Sequence, residues 1–324
     1  MSKIVNKNLC SNYSLNINES PIGSASNFDK YLLIGVPTPW KSEITESEKF
    51  PKKIKSLLEK NSNLLETTKI LGFNTEDRYD DINKTHIILF AKPKGNFENF
   101  SKFEFVSNQK NLAELILHLL NSNYKNHPSE INQNNNSRDL LICIHGARDT
   151  CCASIGYPIY EKILTSKQSF KVNAIQVSHI GGHRFAPNII DMPDGRNWVK
   201  LSKDSIDSFI SQKKPLNSFT ENYRGWTILK NGFEQVAERE AFSIEGWDWI
   251  HKKILSIQTL ETKNLLNSKL IEIKYCNSDG TKNKKIHVEV KKTEKLPVLK
   301  CTKNEITEYS QQYEVIKVTS SKYK

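Results

Sequence analysis

Three of the six cysteines fall within ten residues, in the segment Cys143-Ile-His145-Gly-Ala-Arg148-Asp149-Thr-Cys151-Cys152. A second group of donors follows in His179-Ile-Gly181-Gly182-His183-Arg184. Thiolates and imidazoles are the ligands that borderline and soft metals take, and clustered thiols in a long chain mean metal or redox chemistry more often than disulfide staples. Cys143, Cys152, His179 and His183 are therefore the candidate metal ligands. The bland alternative makes the two cysteines small buried hydrophobes and the histidines hydrogen-bonding loop residues. Two metal readings stand open: tetrahedral zinc, and an iron–sulfur cluster held by two Cys and two His. Zinc knuckles usually space paired ligands about two to four residues apart, whereas eight residues separate Cys143 from Cys152 and leave room for a larger object.

The neighbours of these four have readable roles. Gly181 and Gly182 argue against a continuous helix and for a tight loop, whose bare backbone lets N–H groups approach a cofactor. Arg148 and Arg184 flank the two halves and can offset negative charge, while Asp149 can accept a ring N–H from a ligating histidine. Cys143-Ile-His145 matches the first half of a Rieske motif, but no second half follows, so His145 belongs beside the ligands and not among them. Cys151 reads as a resolving thiol, an alternative ligand or a packed helix-start residue. Cys10, Cys276 and Cys301 lack partners in the sequence and read as structural or incidental. A thiol–disulfide oxidoreductase is a further alternative, against which stands the absence of C-x-x-C; a vicinal Cys151-Cys152 bridge would be strained.

These donors need a scaffold that brings two distant loops together. Residues 140–144 read as a buried strand ending in the first motif, with a helix over 153–165 and a second strand over 172–177 ending in the second motif. If the strands are parallel neighbours, their turns lie side by side although 26 residues separate Cys152 from His179. A hairpin follows over 189–192 and 197–201 around Pro193-Asp194-Gly195-Arg196, then a helix over 205–212. This β-α-β, hairpin, α order is that of a thioredoxin-like domain. Upstream, strands at 31–37 and 86–91 and helices at 51–60 and 111–121 make a smaller α/β unit, with Pro51 in a first helical turn. Downstream, helices at 233–242 and 247–257 and strands at 270–275 and 285–290 form an α+β extension. The division is thus an N-terminal α/β domain over 1–121, an Asn-rich linker over 122–138 that includes Asn134-Asn135-Asn136, the thioredoxin-like domain over 139–220, and the extension over 221–324. No repeat of fixed period stands out.

The chain has 324 residues, a mass of 37.2 kDa and a formal net charge of +11. Only seven of its 47 basic residues are Arg, and the Lys excess accompanies many Asn and Ile, so it reads as compositional and no nucleic-acid partner is implied. The lysines at 282–292 alternate with Ile286, Val288 and Val290, as on the solvent face of a strand. No apolar run approaches the roughly 18 residues of a membrane span, and the first residues lack the apolar core of a secretory leader. A cytoplasmic protein without a membrane span is the expectation.

The two motifs, spaced C-x8-C and H-x-G-G-H, resemble those of the sucrase/ferredoxin-like family. The resemblance extends over nearly the whole chain, from Cys10 and Gly35-Val-Pro-Thr-Pro-Trp40 through His145-Gly-Ala-Arg-Asp149, His183-Arg-Phe-Ala-Pro187 and Tyr223-Arg-Gly225. It implies a thioredoxin-like ferredoxin domain carrying a [2Fe-2S] cluster, held in a Rieske-like manner by Cys143, Cys152, His179 and His183. Cys151 is a departure, since it sets a neighbouring thiol beside the second ligand. The implied role is electron transfer to or from a redox protein partner, with a proton lost from an imidazole on oxidation. The family name also raises sucrose hydrolysis, which needs two carboxylates facing each other across a sugar; no acidic pair stands out. Zinc-stabilised binding module and thiol oxidoreductase remain the alternatives.

Overall fold

The computed structural model describes residues 9–75, 83–93, 95, 97–122, 124, 127–131, 137–213, 215–260, 267–301 and 305–322. The chain is mixed α/β, as the strand and helix patterns require. The segments 1–8 and 132–136, which hold the leader reading and the Asn-rich run, lie outside the described residues.

The first half contributes helix α1 (Cys10–Asn16), strand β1 (Lys30–Gly35), helix α2 (Lys52–Lys60), strands β2 (Thr68–Phe73), β3 (Lys84–Ala91) and β4 (Ser101–Asn108), and helix α3 (Leu112–Leu120). Next come strand β5 (Asp139–Cys143), helix α4 (Thr150–Leu164), strands β6 (Asn173–Val177), β7 (Asn188–Met192) and β8 (Arg196–Val199), helix α5 (Ile206–Ser211) and strand β9 (Tyr223–Trp226). All nine strands make one sheet in the order β4-β3-β1-β2-β6-β5-β7-β8-β9. β1 and β2 are parallel, as are β5 and β6, and β3 and β7 are the antiparallel partners of β1 and β5. The sheet thus contains the same β-α-β-β-β-α course twice, mirrored across a junction where β2 meets β6 at one pair, Phe73 with Val177.

Alternation along β1 explains the layering. Leu32 and Ile34 face a core built with Ile54 and Leu58 of α2 and Leu112, Leu115 and Leu119 of α3, while Tyr31 and Leu33 face the opposite core. A strand with period two that is apolar on both faces has to be covered on both. The second core runs on through Leu140, Val177 and Trp198 to Phe242 of helix α6 (Gly232–Glu245). It ends at Ile271, Ile273, Ile286 and Val288 of a four-stranded antiparallel sheet. That sheet is a meander of β10 (Lys253–Leu260), β11 (Ser268–Cys276), β12 (Lys284–Lys300) and β13 (Glu305–Lys322). Ile286, Val288 and Val290 are fully buried, and Lys291 and Lys292 face solvent.

One downstream element differs from expectation. The helix read over 247–257 is a 3-10 turn, Gly246–His251, followed by β10. Trp247 and Trp249 pack as apolar anchors of that turn, Trp249 with its indole N–H on Glu238, and an apolar spacing filled by such anchors imitates a helix. β12 and β13 have 17 and 18 residues; at about 3.3 Å per residue the hairpin extends more than 50 Å. Its far end returns to α1 and to the loop after β6. Among the described residues no helix is long and apolar enough to cross a membrane.

Candidate metal centre

β5 ends at Cys143 and pairs in parallel with β6, Cys143 opposite Val177. The loops that leave these two strands therefore emerge at the same sheet edge, where open α/β sheets present functional groups. After β5 the chain turns through His145 and starts α4 at Thr150, three residues earlier than the apolar pattern suggests. The cause is a cap: the Asp149 side chain accepts the Cys151 N–H at 2.9 Å, the usual duty of an N-cap aspartate. Cys151 and Cys152 consequently sit in the first turn of α4. Helix and strand are held close at Gly156, where an added Cβ would stand 2.2 Å from the Cys143 carbonyl oxygen.

After β6 the backbone takes the left-handed region at Gly181 and Gly182, φ 101° and 75°, a conformation that favours glycine. A Cβ at Gly182 would meet the Arg224 guanidinium, which also donates to the Gly181 carbonyl at 3.0 Å. Arg224, fully buried and also bonded to Ser24, thus shapes the histidine loop. The Tyr223-Arg-Gly225 motif carries it in the sequence, but a loop support so far along the chain is visible only in three dimensions.

The structure brings together Cys143, Cys152 and His179, whose ligand atoms all lie within 4.8 Å of one another. The Cys152 Sγ to His179 Nδ1 distance is 3.7 Å, and both cysteines are buried. A bond from Cys152, with help from His179, holds the Cys143 thiol well below its ordinary range in spite of burial, and the same bond and burial push Cys152 upward. His183 is next to this group, its ring 6.0 Å from that of His179, but its Nδ1 lies 3.1 Å from Asp149 Oδ2 and 2.9 Å from Cys10 Sγ. Burial, and then the His179 ring, lower the His183 pKa to about 4, and burial raises that of Asp149 to about 6.

The remaining site residues have definite places. His145 is buried; its Nε2–H donates to the Lys41 carbonyl at 2.7 Å and its Nδ1 accepts the His179 N–H at 3.2 Å, so it fixes the backbone of a candidate ligand. Arg148 forms an ion pair with Glu43. Arg184 pairs with buried Glu19 at 2.7 Å and lies over the Phe185 ring.

Cys10 and Cys301 are the residues that sequence reasoning missed. Far from lacking partners, they meet Cys151: its sulfur is 3.3 Å from that of Cys10 and 3.4 Å from that of Cys301. Single cysteines separated by some 140 and 150 positions carry no spacing signal.

Two groups of thiol, imidazole and carboxylate donors at one edge of a mixed sheet define a candidate metal-binding α/β protein. The chain belongs to the sucrase/ferredoxin-like family, whose model matches residues 21–225. A stretch of 98 residues is 30% identical to Altered inheritance of mitochondria protein 32 of Meyerozyma guilliermondii, covering 27% of this chain and 34% of that protein. The chain thus matches about a third of the length of this curated relative. No solved structure matches.

Proposed function

We propose that this protein is an electron-transfer protein in which Cys143, Cys152, His179 and His183 hold a [2Fe-2S] cluster on a thioredoxin-like domain, serving a redox protein partner in the cytoplasm. The observation that carries the reading is the convergence of Cys143, Cys152 and His179 at the ends of two adjacent parallel strands. Cys143 and Cys152 are buried and His179 half-buried, and the three have one another as neighbours, which suits donors kept for a cofactor. The β5-α4-β6-β7-β8-α5 course is the order a thioredoxin-like domain requires, and the family membership supports the same cofactor.

Bound there, the cluster would accept and release one electron. The chain's own part is positional. α4 and β5, locked at Gly156, set the distance between the two thiols. His145 and Arg224 set the loop that carries His179 and His183. Arg148 and Arg184 stand near with their charges already balanced by Glu43 and Glu19, so they would tune the local field without neutralising it fully.

A zinc site is the second reading, favoured by one observation: a span of 4.8 Å also suits donors around a single ion, whose bonds of about 2.0–2.3 Å keep its ligands close together. Anaerobic purification separates the two. The proposal expects a reddish-brown protein with about two iron and two acid-labile sulfide per chain and a rhombic EPR signal on reduction. A colourless protein holding zinc at Cys143 and Cys152 would sink it. His179→Cys is expected to retain a cluster and lower its potential by on the order of 100 mV, since an added thiolate disfavours the electron; an unchanged potential removes His179 from the ligands.

A further inference from the structure

Cys10, Cys151 and Cys301 come from three remote parts of the chain: the first turn of α1, the first turn of α4 and the tip of the β12–β13 hairpin. Cys10 and Cys301 lie outside the stretch 21–225 that matches the family, so this meeting is not a feature of the matched region. Cys10 and Cys151 are fully buried among Ala186, Leu9, Ile155 and Leu299, and Cys301 is half-buried. Asp149 extends the group: it shares with Cys10, His183 and Cys301 a set of ligand atoms within 4.8 Å.

We propose that Cys10, Cys151 and Cys301, closed by the Asp149 carboxylate, form a second metal site that binds one zinc ion. Geometry favours a metal over a disulfide. Tetrahedral Zn–S bonds of about 2.3 Å put sulfurs about 3.8 Å apart, so the observed 3.3 and 3.4 Å need an opening of only a few tenths of an ångström. A disulfide at about 2.05 Å needs each pair to close by more than 1 Å, between backbones tied to three separate elements. The donor set fits the metal: thiolates and a carboxylate oxygen are both ligands that four-coordinate zinc takes. Binding displaces the thiol protons to solvent and leaves the Zn–S bonds in their place. The ion would then tie the first turn of α1 and the β12–β13 hairpin to the start of α4. Asp149, with its other oxygen on His183 Nδ1, would join this site to the neighbouring Cys143 group. The inference stands whichever metal that group takes.

The test is metal counting on the full chain, with iron and zinc measured separately in wild type, Cys10→Ser/Cys301→Ser and Cys143→Ser. The expectation is about one zinc equivalent per chain that the double variant loses and Cys143→Ser keeps, while the metal of the Cys143 group, iron or zinc, is kept in the double variant and lost in Cys143→Ser; wild type without that zinc equivalent overturns the proposal. Loss of zinc in Cys143→Ser together with its retention in the double variant overturns the proposal. Should a variant fail to fold, alkylation of zinc-loaded wild type followed by peptide mapping decides. Protection of Cys10, Cys151 and Cys301 that a chelator removes supports the site. Equal labelling with and without zinc, or a Cys10–Cys151 or Cys151–Cys301 disulfide in its place, overturns it.

Discussion

At the scale of single residues, the side chain that most deserves substitution is His145, which holds the backbone of a proposed ligand. It satisfies two groups from separate segments, the Lys41 carbonyl and the His179 N–H, and its ring packs edge-on against Trp40. Burial lowers its pKa, so the neutral ring, donor on one nitrogen and acceptor on the other, is the form that fits both bonds. His145→Ala leaves the two backbone groups without partners. At roughly 1–3 kcal/mol each for a buried group left unpaired, the loss of stability should lie near 2–6 kcal/mol, measurable by chemical denaturation. His145→Gln, which can still accept and donate, should recover part of it. If His179 is a ligand, His145→Ala should also lower iron occupancy, while unaltered occupancy would show that the loop holds its shape unaided. Cys143, Cys152 and His179, which the structure groups, were legible in the sequence because they follow apolar runs and carry a close spacing; His183, four residues after His179, falls instead with Cys10, Asp149 and Cys301. Cys10 and Cys301 were not legible, because only the fold makes them neighbours.

At the scale of elements, most of what positions the site was legible as well. β5, α4 and β6 announce themselves by uninterrupted apolar runs and by an amphipathic period, and their starts and ends fall close to expectation. The elements that escaped had no such pattern. β13 opens on largely polar, exposed residues and packs Tyr313, Val315 and Val318 on the core only further along, so its first half lacks the alternation that marks a half-buried strand. β2 is interrupted by Gly72, a position where an added Cβ would meet Ile44. α1 has few apolar residues and no apolar period. The packing of α4 on β5 yields a sharp prediction. Gly156→Ala places a methyl group where the Cys143 carbonyl already stands, and backbone on a central strand cannot yield as a side-chain tip can. The variant should lose about 1–3 kcal/mol, the usual range for overpacking, and its Cys143 to Cys152 geometry should open. A proposed cluster would then be lost faster on exposure to air than in wild type, followed by the decay of its visible absorbance. Equal stability and equal decay would mean that α4 slides without cost.

At the scale of the whole molecule, the two halves of the sheet meet at Phe73 and Val177 with two flanking backbone bonds, Asn74 N–H to the Gln176 carbonyl and Ser178 N–H to the Gly72 carbonyl, and contacts away from that short junction join them as well. One is buried and ionic. Lys102 of β4 reaches Asp139 at the start of β5 at 2.7 Å, with side-chain exposures of 4% and 0%, and also meets Glu104 at 2.6 Å. The second Asp139 oxygen accepts from Ser137 and Asn173, so the carboxylate is anchored on the β5–β6 side while its counter-charge arrives from the opposite edge of the sheet. Burial by itself would lower the Lys102 pKa, but attraction to Asp139 and Glu104 outweighs it and raises the value above the ordinary 10.5. A raised lysine contributes stability that is complete below pH 10.5 and is lost as pH climbs through the folded value. Wild type should therefore weaken in the alkaline range more steeply than Lys102→Met. That variant should be the less stable of the two at neutral pH, by about 3–5 kcal/mol, because it strands the Asp139 charge in the interior. Lys102→Met with Asp139→Asn removes both charges and should regain much of the loss, since a buried pair replaced as a unit costs little. Denaturation curves for the three proteins across neutral and alkaline pH test this. A single variant as stable as wild type would mean that the halves are held by their apolar faces alone.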